Sequence, residues 1–132
     1  MTNIKEYNRY LLYKNNDLFI EKFSVEQLAK KYKTPFFCYS VSQIEDNFHI
    51  LQDSFNVVKP LICYAMKANY NSEIISILSK LGAGVDVVSM GELNKAILHG
   101  VDVNKVVFSG VGKTREEIEF AINKKIKQLN VE

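Results

Sequence analysis

Four short runs rich in β-forming residues begin at Leu61, Gly84, Val106 and Lys127, at steps of 23, 22 and 21 residues. That near-constant period accommodates one strand, one helix and two short loops, and strands that alternate with helices are parallel and joined by crossovers. The helical segments between the runs carry their own signals. Asn71 can cap a helix whose apolar face is Ile74, Ile77, Leu78 and Leu81, with Gly82 as its stop. Ser89-Met90-Gly91-Glu92 and Thr114-Arg115-Glu116-Glu117 both fit a capping box, the first leading into Leu93, Ala96 and Ile97, the second into Ile118, Ala121 and Ile122. Upstream, the pattern predicts a helix from Ser40 or Ser42 with Ile44, Phe48, Leu51 and Phe55 as its stripe. A shorter helix over 24–32, an extended segment over 35–39 and a strand over 17–23 outside the repeat complete the expectation.

Regular βα units at this period suit a (β/α)8 barrel, the TIM barrel, which takes about 250 residues. A chain of 132 residues therefore holds about four of the eight units. The expected α/β organisation is an N-terminal extension over 1–34, of strand and short helix, and the first half of a barrel over 35–132. An open doubly wound sheet is the alternative that would be complete at this length.

Charge and hydropathy narrow the function classes. With 17 basic against 15 acidic residues and a net charge of +2, the chain has no surface suited to tracking nucleic acid; Lys124-Lys125-Ile126-Lys127 reads as a solvated helix end. No apolar run approaches the roughly 18 residues of a membrane span and no signal segment opens the chain, so a cytoplasmic location is expected. Cys38 and Cys63 stand in apolar strand-like runs without metal-ligand spacing and read as reduced core residues. His49 and His99, each alone on a helix, read as surface or helix-end residues.

Either architecture gathers chemistry at the C-terminal ends of parallel strands. The unusual residues fall there. Lys67 ends the run Leu61-Ile62-Cys63-Tyr64-Ala65-Met66, Asp86 lies inside Gly84-Val85-Asp86-Val87-Val88, Ser89 follows it, and Glu92 opens the next helix. Capping alone accounts for Ser89 and Glu92. Asp86 is different, because a carboxylate in a buried strand needs a partner, and Lys67 is the expected one. A lysine partly desolvated at such a position can lose its proton and attack a carbonyl carbon to form a Schiff base. The aldehyde of a sugar phosphate and that of pyridoxal phosphate both fit. Gly110-Val111-Gly112-Lys113-Thr114 ends like a phosphate loop, but the first glycine such a loop requires falls on Val107. What remains is a glycine-rich turn ahead of a helix, open to an anion or to turn chemistry alone.

The stretches "CYAMKANYN", "LGAGVDVVSMGEL", "VVFSGVGKTREEIEFAI" and "LNVE", in that order, resemble the N-terminal half of the diaminopimelate decarboxylases. These are barrel-type, fold type III pyridoxal-phosphate enzymes of the alanine racemase-like type. The resemblance covers about Ser24 to Glu132; ornithine and arginine decarboxylases share pieces of it. It implies pyridoxal 5'-phosphate as cofactor and Lys67 as the catalytic residue that carries it covalently. Asp86 and Glu92 match acidic positions kept close to that lysine on the cofactor's side, where they would tune its protonation rather than bind metal. The implied reaction is decarboxylation of meso-2,6-diaminopimelate to L-lysine, a step of lysine biosynthesis on a small amino-acid substrate, by an enzyme that is a homodimer in full-length relatives.

The family continues past the equivalent of Glu132 with a histidine that stacks on the ring, a glycine-rich phosphate loop, a glutamate facing the pyridine nitrogen, and a cysteine and a tyrosine given to the neighbouring subunit. The resemblance therefore implies a truncated chain that is inactive alone, with an exposed sheet edge. A separately encoded C-terminal polypeptide that completes the barrel is a second reading. A half barrel kept as a non-catalytic interaction fragment is a third, from a different class.

Overall fold

Two adjacent asparagines make the first hairpin of the computed structural model, which describes residues 8–131. Asn15 and Asn16 both take positive φ, 50° and 68°, the backbone of a two-residue hairpin whose twist matches its strands. They join β1 (Leu11–Lys14) to β2 (Asp17–Ile20), and β3 (Phe23–Ser24) completes an antiparallel sheet of order β1-β2-β3. The strand expected over 17–23 is thus two strands broken by a turn at Glu21, which has φ 52°. β1 had no counterpart among the expected elements, and whatever of the N-terminal extension falls on residues 1–7 lies outside the described residues.

Ser24 caps α1 (Val25–Tyr32), its Oγ accepting from the Gln27 amide at 3.4 Å. Residues 35–39 follow a cis Thr34–Pro35 bond and form no strand. Cys38, expected in the core, is consequently exposed, because no sheet partner covers the segment; both cysteines are free thiols. Ser40 starts α2 (Val41–Ser54), accepting from the Gln43 amide at 3.0 Å. Its hydroxyl donates at 2.5 Å to Glu21 Oε1, which also accepts from the Ser42 amide at 3.1 Å. These bonds, the Ser40 hydroxyl first, hold the Glu21 carboxyl below the usual glutamate range.

The chain divides into two units, Met1–Asp46 and Asn47–Glu132. The second holds the repeat. β4 (Cys63–Ala65), β5 (Gly84–Val87), β6 (Val106–Phe108) and β7 (Gln128–Leu129) form a parallel sheet in chain order, joined by α3 (Ser72–Lys80), α4 (Met90–Leu98) and α5 (Arg115–Asn123). The starts of β5 and β6 match the predicted period, while β4 begins two residues after Leu61 and β7 one after Lys127. The caps are as read: Asn71, Ser89 and Thr114 each accept an amide from the first turn of the helix they start. Gly82 and Gly100, at φ 94° and 85°, end two of them in a conformation that costs glycine nothing. Lys124, Lys125 and Lys127 are exposed, as expected, but only Lys124 caps α5, and Lys127 leads into β7.

Val85, Val87, Val106 and Phe108 alternate onto one face of the sheet and are fully or almost fully buried, clustered with Ile75 of α3, Leu93 and Ala96 of α4 and Ala121 of α5. All three helices thus cover the same face. A doubly wound sheet needs helices on both faces and a reversal of strand order, so that alternative fails for the described residues. The opposite face carries Cys63, Ala65, Asp86 and Val107, all half-buried, with Ala65, Asp86, Val107 and Gln128 abreast in register. Gly84 belongs to this face. A Cβ there would lie 2.1 Å from the Lys105 carbonyl oxygen and 2.9 Å from Cys63 Sγ. The stripe expected on α2 is buried only at Phe48, with Leu51 and Phe55 45% and 49% exposed.

Candidate functional site

β4 ends in a 3-10 turn, Met66–Ala68, and this turn decides where Lys67 goes. Met66 is fully buried in the cluster between sheet and helices, which carries the next residue out of the packed layer. Lys67 is accordingly exposed, and among the described residues it makes no hydrogen bond and no ion pair. The expected desolvated Lys67–Asp86 pair is not formed. The rest of the motif builds the turn: the Tyr64 hydroxyl donates to the Asn69 carbonyl at 3.0 Å, Asn69 Oδ1 accepts from the Asn71 amide at 3.0 Å, and Asn71 Oδ1 accepts from the Glu73 amide at 2.9 Å. Tyr70 receives the Lys95 ammonium over its ring at 4.8 Å.

Asp86 finds its partner one strand further on. Ser109, just past β6, donates its hydroxyl to Asp86 Oδ1 at 2.5 Å. Asn130, just past β7, donates Nδ2 to Ser109 Oγ at 3.0 Å and accepts from Gln128 Nε2 at 2.6 Å. Neither Ser109 as the partner of a carboxylate nor Asn130 emerged from spacing. Their common position one residue beyond consecutive strands is the signal that could have found them. The Cys63 thiol, on the same face, is pushed up chiefly by burial and further by the Asp86 charge, with Lys127 opposing.

Glu92 is not brought to Lys67. Its Oε2 accepts from the Val88 amide at 2.8 Å while its own amide donates to Ser89 Oγ at 3.2 Å, so the expected box is half formed and the carboxylate closes the turn after β5. The full box is at Thr114 and Glu117, where Glu117 Oε2 accepts from the Thr114 amide and Oε1 from the Met90 amide, each at 3.0 Å. These two bonds, with the Thr114 hydroxyl, hold the Glu117 carboxyl below its ordinary range. In the glycine-rich turn, Lys113 donates to the Asn130 carbonyl at 2.6 Å and to the Gly110 carbonyl. That ammonium is a brace of the loop, and turn chemistry accounts for the segment. Among the described residues no group of three or more His, Cys, Asp or Glu is placed to hold a metal ion, and no helix is long and apolar enough to cross a membrane.

An exposed primary amine without an ion-pair partner, at the C-terminal end of a parallel strand, fits the aldehyde of a pyridoxal group, and Asp86 offers its untied Oδ2 on the half-buried face of the next strand. The fold is a parallel α/β domain with an exposed lysine at a strand end, and the chain belongs to the pyridoxal-dependent decarboxylases: the family model of their pyridoxal binding domain matches residues 41–132.

Within that family the similarity is to diaminopimelate decarboxylases. The enzyme of that name from Aquifex aeolicus is 42% identical over 132 residues, all of this chain and 31% of the relative. The crystal structure of diaminopimelate decarboxylase from M. jannaschii superposes with a TM-score of 0.90 at 38% identity, over 94% of this chain and 30% of that one. The Helicobacter pylori diaminopimelate decarboxylase complexed with L-lysine gives 0.77 at 45% identity, over 81% of this chain and 27% of that one. The chain thus spans about a third of the length of the curated relatives it matches.

Proposed function

We propose that this chain supplies the lysine-bearing part of a pyridoxal-phosphate-dependent carboxy-lyase that converts meso-2,6-diaminopimelate to L-lysine, with Lys67 as the residue that holds the cofactor. The observation that carries the reading is the unpaired, exposed Lys67 amine at the end of β4, with a carboxylate on the half-buried face of the adjoining strand. Bound there, the cofactor would supply a ring able to take up the electron pair left when carbon dioxide departs. Lys67 would bind it through its amine and, once released, move a proton at Nζ. Asp86 would hold a positive charge beside the lysine through its untied Oδ2. Glu92 contributes at one remove, by fixing the turn that follows β5 through the Val88 amide.

The architecture we assign is a partial (β/α)8 barrel of the alanine racemase-like type, about four of eight units over 35–132 with an extension over 1–34. Strands in chain order with α3, α4 and α5 on one face support it. The similarity to a diaminopimelate decarboxylase complexed with L-lysine supports the substrate assignment.

The test is to mix the purified 132-residue chain with pyridoxal phosphate, fix the adduct with borohydride and map the labelled peptide. Label concentrated on Lys67, and lost in Lys67→Ala, is the expected result. Label scattered over many lysines, or a Lys67→Ala chain that labels as the parent does, overturns the assignment.

A further inference from the structure

The bonds that reach Asp86 all run one way. Gln128 Nε2 donates to Asn130 Oδ1 at 2.6 Å, which leaves Asn130 Nδ2 to donate to Ser109 Oγ at 3.0 Å. A hydroxyl has one proton, and with its oxygen already accepting from Asn130, the Ser109 proton is directed at Asp86 Oδ1, 2.5 Å away. The backbone under this chain is fastened too: the Lys113 ammonium donates to the carbonyls of Gly110 and Asn130, tying the segment after β6 to the segment after β7. Residues of β7 and of the segments after β6 and β7 are thus linked in one chain of bonds that ends on a carboxylate oxygen of β5. Among the described residues Oδ2 takes no hydrogen bond and no ion pair.

Nothing in the packing calls for this arrangement. Val107, abreast of Asp86 in the register, fills the same level of the same face with an apolar side chain. A half-buried carboxylate costs free energy unless its lone pairs are met, and the fold meets one oxygen through a three-residue relay while leaving the other untouched.

We infer that Ser109 and Asn130 are positioning residues that act through Asp86: they fix its carboxylate with Oδ1 tied and Oδ2 reserved for a cationic partner of the cofactor site. This inference rests on the reading of Lys67 given above. A hydrogen bond to a charged group is strong enough that losing the Ser109 hydroxyl should lower cofactor capture by about tenfold.

Two readouts on the 132-residue chain test it, one of which needs no cofactor. In chains carrying ¹³C-labelled aspartate, the side-chain carboxyl signal of Asp86, assigned by its loss in Asp86→Asn, should move in Ser109→Ala and return in Ser109→Thr, which keeps the hydroxyl. Asn130→Ala should move it in the same direction by less. With pyridoxal phosphate and borohydride, the fraction fixed on Lys67 should fall about tenfold in Ser109→Ala and recover in Ser109→Thr, with unchanged helical circular dichroism throughout. An Asp86 signal indifferent to Ser109→Ala overturns the tether. A signal that moves while fixation on Lys67 holds steady overturns the positioning role. Absence of fixation on Lys67 in the parent chain instead defeats the assignment of Lys67, and the cofactor-free carboxyl signals then decide the tether separately.

Discussion

The two faces of the parallel sheet come from the same strands, yet they answer to different constraints. The face under the helices is filled by Val85, Val87, Val106 and Phe108, which meet side chains from three helices and exclude water. The other is only half-buried and carries a thiol, a carboxylate and a glycine at neighbouring levels. The first face is where stability resides, because each large side chain buried there contributes about 1.5–3 kcal/mol. The second holds residues that packing alone would not select, and its chemistry is collected at the rim where the strands end.

The sharpest way to break this comparison is to truncate adjacent residues of β6. Phe108→Ala, on the helix face, should cost about 3–5 kcal/mol in urea unfolding, whereas Val107→Ala, on the half-buried face, should cost about 1 kcal/mol or less. Equal losses would show that the faces are not distinct. Next comes Gly84→Ala, at a tightly packed point of the other face. Its new Cβ would meet the Lys105 carbonyl oxygen at 2.1 Å, so the substitution should destabilise by about 1–3 kcal/mol, as overpacking does. A Gly84→Ala chain of parental stability would mean that the strands spread easily at that level. At the rim, Thr114→Ala removes the cap of α5 and should cost about 1 kcal/mol in the same assay.

The smallest effect is electrostatic. Glu117 has its carboxyl held below the ordinary range by the amides of Thr114 and Met90. A lowered folded-state value contributes stability above the unfolded-state value, and that contribution is lost as the pH falls through the folded one. Glu117→Gln should therefore be less stable than the parent at neutral pH, and the two unfolding curves should converge on acidification below the usual glutamate range. Curves that stay parallel from neutral to acid would remove Glu117 from the acid response.

What the sequence made legible follows from the range of the interactions involved. The parallel strands and their helices were readable because a strand–helix repeat and a side-chain cap are local events: Asn71, Ser89 and Thr114 each cap within three residues of themselves. The Asn15-Asn16 turn is equally local, but it stands outside the repeat and was missed with β1. Asp86 is the opposite case. Its partner stands 23 residues away, and only the register of β5 against β6 brings Ser109 to it in place of Lys67. The exposure of Lys67 likewise depends on a 3-10 turn, which no apolar period announces. Cys38 and the α2 stripe share one reason: an apolar run shows that a residue can be buried, while burial requires a partner surface, and of that stripe only Phe48 is buried.

Glu117 has a consequence for how the molecule opens. Its two carboxylate oxygens hold amides at the starts of successive helices, Met90 of α4 and Thr114 ahead of α5. The amide proton of Met90 is therefore shielded from solvent deuterium by a residue 27 positions downstream. When the first turn of α5 frays, the Met90 amide must begin to exchange with it. The second and third βα units thus share a kinetic lifetime at their rims, and their opening should be seen in exchange as one cooperative event rather than two.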